Sequence, residues 1–295
     1  MSVALYGLGA AFTWGLGSVL IKAAVGKLPA SHLLLLRAFA GAVTAIGAMI
    51  LFGRAGSLQQ VPVITWVGIL GVTLSGYFAA DLLFVRALEV IPLSQALPIQ
   101  AAYPLIAAGL AWAMLGEPPT LVSLAGAVVV IAGVAAIAGA KAEPARGPTP
   151  QSMSRRSGLF LLAISTLGWG VSAVLLRFVV QSLDPIAANA VIALFVFVAF
   201  AAIARPLEAW DFVRRQPSWA GLLSVAGILG GTGVSNLLFV LAIESGGVMV
   251  ATALACTAPL FTSLMAVVFL SERLSARLAA GVLLSVGGIW MIVGV

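Results

Sequence analysis

The sequence has few of the side chains that metal sites and most catalytic sites require. Its 295 residues include one cysteine, Cys256, and one histidine, His32. A single cysteine excludes an intrachain disulfide, and such scarcity excludes a zinc site built from cysteine and histidine ligands. No glycine-rich segment ends in Gly-Lys-Ser or Gly-Lys-Thr, which argues against a nucleotide-binding loop of the P-loop type. We therefore expect no cofactor and no metal.

Charged residues are also scarce, at 8% of the chain, whereas hydrophobic residues make up 62%. Typical soluble domains have about 25% charged and about 45–50% apolar residues, so this composition excludes a soluble protein. The net charge of +6 would suggest a nucleic-acid ligand in a soluble chain. No basic patch is interleaved with aromatic residues, however, and we expect no nucleic-acid partner. The lipid bilayer is the expected partner instead, with basic loops facing anionic headgroups.

Long apolar runs occupy most of the chain, and a run of about 20 residues is enough to cross a bilayer as a helix. The sequence predicts ten such spans, at 3–24, 31–53, 62–88, 92–115, 119–139, 157–180, 185–205, 217–243, 247–270 and 275–294. Ser245-Gly246-Gly247 is predicted to be a short turn between the eighth and ninth spans. These features predict an all-α integral membrane protein.

The chain repeats its own pattern at a constant offset of 155 residues. The matched positions include Trp14 with Trp169, Phe84 with Phe239, Glu89 with Glu244, Pro104 with Pro259 and Gly133 with Gly288. We predict a first five-helix repeat at 1–140, a polar linker at 141–156 and a second five-helix repeat at 157–295. Because five is odd, the second copy enters the membrane from the opposite side, which makes two inverted repeats around a central cavity.

Lysine and arginine are distributed unequally between the two predicted loop faces. Twelve of them lie in or beside the loops of one face, and two, Arg54 and Arg177, lie at the face that holds both termini. The positive-inside rule places the basic face in the cytoplasm. We predict a multi-pass protein of the cell inner (cytoplasmic) membrane with both termini periplasmic or extracellular.

Asp81 lies near the middle of the third span, where a carboxylate is costly and marks a candidate site. Its counterpart in the second copy is the uncharged Asn236. Two interpretations are open. Asp81 faces a water-filled cavity, where it holds a substrate ammonium group or carries a coupling proton, or it pairs structurally with Lys22 or Arg86. For Arg37, inside the second span, we expect a packing or interfacial ion pair.

Lys22 and Arg177 end the first and sixth spans at matching places on opposite sides. Either they bind an anionic group of the substrate near the gates, or they extend to the membrane interface. Pro104 and Pro259 are predicted to kink the fourth and ninth spans at equivalent depths and to act as gating hinges. Paired glycines at 126, 133, 281 and 288 are predicted to allow close helix packing.

Aromatic and polar side chains within the spans suit the wall of a cavity for an amphipathic small molecule. For the tryptophans, a place at the membrane interface is the alternative. The predicted substrate-binding residues are Trp14, Tyr77, Asp81, Gln95, Tyr103, Trp169, Asn236 and Thr257.

These motifs resemble EamA-type members of the drug/metabolite transporter superfamily. The resemblance is carried by Trp14-Gly15-Leu16-Gly17-Ser18 with Ile21-Lys22, by Leu36-Arg37-Ala38, by Phe84 to Leu88, and by the two segments from Pro104 to Glu117 and from Pro259 to Leu274. It implies a ten-helix basket with the substrate cavity between the two repeats. Members carry amino acids, drugs and small metabolites, and aromatic amino acid exporters are the best-described relatives.

The sequence therefore favours a secondary transporter, with export as its direction, that moves small organic solutes such as amino acids by alternating access. A drug or toxic-cation efflux carrier is the alternative. An integral-membrane enzyme on lipid-linked substrates would need clustered acids, histidines or metal ligands, which the spans lack. We expect a monomer that is not an enzyme, whose partner is a small-molecule substrate. Two driving forces are open: a coupling proton carried by Asp81, or the gradient of the solute itself in a uniporter.

Overall fold

The structure, a computed structural model, describes residues 2–100, 102–103, 105–106, 109–110, 113, 120–138, 153–270 and 275–293. Within these residues every regular element is a helix, and β-pairing is limited to a single bridge between Val25 and Leu28. A helix satisfies its backbone hydrogen bonds within its own segment, which is a requirement in lipid. The long apolar runs therefore fold as helices, and the all-α prediction is confirmed for the described residues.

The helices are numbered here in chain order. The first copy contains α1 Ser2–Ala24, α2 Ala30–Leu51, a 3-10 helix Ala55–Gln60, α3 Val63–Val72, a π-helical segment Thr73–Ala80, α4 Asp81–Ala87, α5 Leu93–Gln100 and α6 Leu121–Ala138. The second copy contains α7 Arg155–Ser182, α8 Pro185–Ile203, α9 Pro206–Arg215, α10 Pro217–Leu229, α11 Val234–Ala255, α12 Ala258–Leu270 and α13 Ala276–Val293.

Six helical stretches of the described residues are long and apolar enough to cross a membrane. They are Val3–Ala24, Ala30–Leu51, Val63–Ala87, Arg155–Ser182, Pro185–Ile203 and Pro217–Ala242. Shorter apolar helices cover Leu124–Ile137, Ala258–Leu270 and Ala276–Met291. The fourth predicted span, 92–115, lies partly outside the described residues, so the number of ten spans stays a prediction. Residues 141–152 of the predicted linker at 141–156 also lie outside them, and the division into a first repeat, a linker and a second repeat stays a prediction.

One predicted turn is wrong. The sequence predicts a turn at 245–247, but α11 continues through these residues from Val234 to Ala255. The hydroxyl of Ser245 donates to the carbonyl of Leu241 at 2.7 Å, a bond that a serine within a helix makes readily. Glycine is also tolerated in membrane helices, so the Ser-Gly-Gly triplet does not end this one.

Helix contacts follow the internal duplication. The counterparts α2 and α8 pack against each other, and so do the counterparts α6 and α13. In the same way α1 packs on α10 and α11, while α7 packs on the stretch from α3 to α4. The contact of α1 with α10 and α11 is thus equivalent to the contact of α7 with α3 to α4, whereas α2 with α8 and α6 with α13 each join an element to its own counterpart.

The contact between α6 and α13 depends on glycine. A Cβ atom on Gly133 would lie 2.7 Å from the backbone nitrogen of Ser285, and one on Gly288 would lie 2.7 Å from that of Val130. Such distances are too short for any side chain, so these glycines let the two backbones approach closely. This confirms the predicted packing role for the described glycines.

Contacts at the helix ends define two ends of the bundle. At one of them, here named the basic end, Lys27 after α1 lies over the ring of Trp219 in α10, and Arg155 at the start of α7 donates to Gln95 at 2.9 Å. At the other end, Arg54 lies 3.5 Å from Asp184, which precedes α8. The helix α7 therefore begins at the end of the bundle where its counterpart α1 finishes.

Candidate functional site

A cavity of about 910 Å³, including its open part, lies between the two copies. The first copy lines it with Trp14, Gly17, Ser18, Ile21, Arg37, Asp81, Phe84, Val85, Leu97, Gln100 and Tyr103. The second copy lines it with Trp169, Gly230, Gly231, Ala255, Cys256, Ala258 and Pro259.

An ion pair stands in the wall of this cavity. The guanidinium Nη2 of Arg37, in α2, lies 3.0 Å from the carboxylate Oδ2 of Asp81, at the start of α4. Their side chains are 16% and 9% exposed, so the pair is largely shielded from solvent. The indole of Trp169 lies beside the same carboxylate, although its N–H does not reach hydrogen-bond geometry with any described residue.

Arg37 is thus the described partner of Asp81, and neither Lys22 nor Arg86 takes that place. The ammonium of Lys22 donates to the backbone carbonyls of Leu88 and Ile91, and so holds the turn after α4. Arg86 is exposed on the surface of the bundle. The ion pair expected for Arg37 is confirmed, with a partner that sequence reasoning did not choose.

Arg37 and Asp81 also line a second, smaller void. Its volume is about 250 Å³, and its other walls are formed by Leu34, Ala38, Tyr77, Val196, Phe200 and Thr232. The ion pair therefore borders both the central cavity and the smaller void.

A chain of buried hydrogen bonds continues from the second void. The hydroxyl of Tyr77 donates to Oδ1 of Asn236 at 3.3 Å, and the amide of Asn236 donates to Oδ1 of Asn189 at 2.5 Å. Asn189 in turn donates to the backbone carbonyl of Thr232 at 3.0 Å. Tyr77 comes from the first copy and the other residues from the second, so the chain joins the two copies.

Aromatic rings surround the ion pair. The ring of Trp169 contacts the ring of Tyr77 edge-on, with 4.8 Å between centroids, and lies 6.5 Å from that of Tyr103. Trp14 packs on Phe239 at 5.3 Å. Such rings offer large apolar faces, and tyrosine adds a polar tip. The cavity therefore combines apolar walls with one concentrated pair of charges.

Both copies depart from regular helix beside the cavity, and at matching positions. The π-helical segment Thr73–Ala80 precedes Asp81, and residues 230–233 interrupt the stretch from α10 to α11. Adding 155 to residues 75–78 gives 230–233, so the break is the counterpart of the π segment. Gly231 has φ +57°, a left-handed conformation that favours glycine.

These irregular segments are held by side chains from other helices. Ser165 in α7 donates its hydroxyl to the carbonyl of Ala80 at 2.8 Å, and Asn189 binds the carbonyl of Thr232. Irregular backbone at membrane depth is tolerated where protein groups satisfy it or where it borders a cavity. Asp81 directly follows the first segment, and Asn236 lies three residues after the second.

The predicted substrate-binding residues lie in different parts of the structure. Trp14, Asp81, Tyr103 and Trp169 line the central cavity, whereas Tyr77 lines the smaller void. Asn236 is buried in the hydrogen-bond chain, and Gln95 accepts from Arg155 at the basic end.

The predicted hinge and gate residues are also separated. Thr257, which is the remaining predicted substrate-binding residue, lies at the break between α11 and α12, where its hydroxyl donates to the carbonyl of Leu254 at 2.6 Å. Pro259 follows this break, lies in the first turn of α12 and lines the cavity. Arg177 is exposed on α7. Pro104 lies outside the described residues, so its hinge role stays a prediction.

Two residues of the site were missed by sequence reasoning. Asn189 sits in an otherwise apolar span, and a lone amide there is a signal for an interhelical hydrogen bond. Gly231 belongs to the run Gly230-Gly231-Thr232-Gly233, and such a cluster within a span is a signal for a break.

Comparisons with known proteins agree with this arrangement. The EamA-like transporter family matches residues 1–139 and 156–294, which are the two copies. An uncharacterized transporter from Archaeoglobus fulgidus is 26% identical over 211 residues, covering 70% of this chain and 68% of that protein. A solved crystal structure has a similar fold, with a TM-score of 0.65 and 24% identity over 98% of this chain and 96% of that one. Because the family match spans nearly the whole sequence, the chain belongs to the EamA-like transporter family.

Proposed function

We propose that the protein is a secondary transporter that moves small zwitterionic solutes with an apolar body, such as amino acids or related metabolites. The observation that carries this proposal is the Arg37–Asp81 pair in the wall of an aromatic cavity between the two copies. The direction we propose is export across the cytoplasmic membrane.

The charges of the site favour a zwitterion. A solute with one carboxylate and one ammonium group offers a partner to Arg37 and another to Asp81 when their own contact opens. A solute with a single charge leaves one of the two without a partner. An unpaired buried charge costs several kcal/mol, which is enough to reject such solutes by two orders of magnitude or more, at about 1.4 kcal/mol per tenfold.

The rest of the wall favours an apolar side chain on that zwitterion. Trp14, Trp169, Tyr103 and Phe84 offer rings, and Leu97 offers an aliphatic surface. Burial of apolar surface contributes roughly 25 cal/mol per Å². We therefore propose that aromatic and branched amino acids bind more tightly than glycine or serine.

We propose that transport proceeds by alternating access between two inverted repeats in a monomer. The opposite starting ends of α1 and α7 and the matched contacts between the copies support this mechanism. Irregular segments at 73–80 and 230–233 give each copy a bending point beside the cavity. The basic end is assigned to the cytoplasm, and both termini to the other side.

The experiment is counterflow in proteoliposomes that contain the purified full-length protein. Labelled phenylalanine outside should accumulate when unlabelled phenylalanine is inside, whereas phenethylamine or phenylpropionate inside, each with one charge, should not drive this uptake. Labelled solute must be recovered chemically unchanged, because conversion would indicate an enzyme. Accumulation driven by cationic drugs and not by amino acids would reject the proposal in favour of a cation efflux carrier.

Coupling to protons is proposed through Asp81, which is the buried carboxylate of the cavity wall. In that case D81N should abolish the dependence of transport on an imposed pH gradient. Exchange of solute between the two sides should be measured in the same vesicles, because loss of exchange would report loss of binding. Unchanged pH dependence in an active D81N protein would reject Asp81 as the coupling group. An unmodified protein whose transport does not respond to the pH gradient would be a uniporter driven by the solute gradient.

A further inference from the structure

The short helix α9, Pro206–Arg215, differs from every predicted span in being amphipathic. It joins α8 to α10 and packs on the bundle through the buried Ala209 and the half-buried Phe212. On the outward side, Leu207 is 81% exposed and Trp210 is 55% exposed. Two large apolar side chains thus point away from the protein on a helix that also carries charges.

The position of α9 is at the level where spans begin and end. Glu208 lies 3.5 Å from His32 near the start of α2, and α9 contacts both α2 and α10. This is the basic end of the bundle. A short helix at this level with exposed leucine and tryptophan meets the boundary between headgroups and acyl chains, where such side chains are stable.

The basic residues of α9 lie in its last turn. Glu208 is held by Arg205 at 2.8 Å, so that this acid is compensated within the protein. In the last turn, Arg214 lies 5.7 Å from the ring centroid of Trp210 and is followed by Arg215. Asp211 carries a charge of opposite sign to these two cations, but it forms no ion pair within 4 Å with any described residue. A positive end beside an inserted indole is suited to a lipid phosphate.

The other copy lacks this feature. The counterparts of Trp210, Arg214 and Arg215 are Ala55, Gln59 and Gln60, in the exposed 3-10 helix between α2 and α3. The shared architecture therefore does not require an aromatic and cationic helix at this connection. Of these two equivalent connections, the one between α8 and α10 carries it and the one between α2 and α3 does not.

We propose that α9 is a docking site for anionic phospholipid headgroups. Leu207 and Trp210 insert at the boundary of the acyl chains, and Arg214 and Arg215 bind lipid phosphates. The lipid so bound holds α9 along the membrane surface and, through Glu208 and His32, the start of α2. Because α2 also carries Arg37, the lipid site on α9 is linked to the cavity through this one helix.

The test is hydrogen exchange of the full-length protein in nanodiscs of phosphatidylcholine, with and without phosphatidylglycerol. Amides of residues 206–215 should exchange more slowly when phosphatidylglycerol is present. Each arginine near an anionic surface contributes about fivefold in binding, so R214Q/R215Q should lose most of this protection. The charge-retaining R214K/R215K should keep it. Inorganic phosphate added to phosphatidylcholine discs should give none.

The matched control is R156Q/R277Q, which removes the same charge from exposed positions outside α9. It should keep the protection of residues 206–215, whereas W210S should lose it with both arginines in place. Equal exchange in the two lipid mixtures would overturn the proposal. So would equal losses in R214Q/R215Q and R156Q/R277Q, because that result would indicate a general effect of net charge.

Discussion

The guanidinium of Arg37 and the carboxylate of Asp81 lie 3.0 Å apart on different helices, so each largely buried charge has a partner of opposite sign. They line the central cavity and the smaller void behind it at the same time. The pair is therefore both a structural contact and a part of the cavity wall. Variants of the two residues can separate these roles.

We expect R37Q and D81N each to destabilise the protein by about 3–5 kcal/mol, because each leaves an unpaired buried charge. The double variant R37Q/D81N should recover much of that loss, since neither charge remains. Thermal unfolding in detergent measures all three. Transport should be lost in the double variant although stability returns. Additive losses of stability in the double variant would contradict a direct pair.

Gly231 should be sensitive to any side chain. Its φ of +57° disfavours other residues by roughly 1–2 kcal/mol, and a Cβ atom there would also collide with the guanidinium of Arg37. We expect G231A to lower both the unfolding temperature and the transport rate. The control is G221A in the preceding helix, where a Cβ meets nothing within 4 Å. G221A should be neutral or slightly stabilising.

Asn236 should contribute more than Tyr77 to the buried hydrogen-bond chain. N236A leaves both Asn189 and Tyr77 without a partner they now have, and each buried unsatisfied group costs about 1–3 kcal/mol. Y77F leaves a single group, Oδ1 of Asn236, without its donor, so it should cost about half as much. Thermal unfolding should rank N236A below Y77F, and the reverse order would contradict the described network. T44V is a control, because the Thr44 hydroxyl bonds within its own helix.

The contact of α9 with α2 should weaken in acid. The hydrogen bond from Arg205 holds the pKa of Glu208 below its usual range. Because the folded-state pKa is the lower one, the contribution is fully present above the unfolded value and is lost as pH falls through the folded value. We expect exchange of residues 206–215, corrected for its intrinsic pH dependence, to rise below about pH 4.5. In E208Q this pH-dependent step should be absent.

The helices were predictable from the sequence because apolar length alone decides what crosses a membrane. The duplication also predicted which elements correspond, and α2 with α8 or α6 with α13 now pack as counterparts. The prediction of a turn at 245–247 was wrong, because a serine and two glycines are compatible with a continuing membrane helix. Composition cannot decide such a case without the neighbouring helices.

Several residues of the site were predictable from the sequence, but their partners were not. Asp81 was recognised because a carboxylate within a span is costly, yet the choice of Arg37 depends on how α2 and α4 are rotated against each other. That rotation is set by packing over many residues. The π segment depends in the same way on Ser165, which binds a carbonyl from another helix.

The two copies depart from α-helical geometry at equivalent places, but in different ways. The first copy stays helical through 73–80, as a π-helix with wider turns, whereas the second has four residues outside helix at 230–233. A continuous helix resists deformation more than a non-helical segment of four residues, three of which are glycine. We therefore expect the two conformational changes of the proposed transport cycle to have different barriers. The one that deforms the first copy should be the slower and should limit turnover.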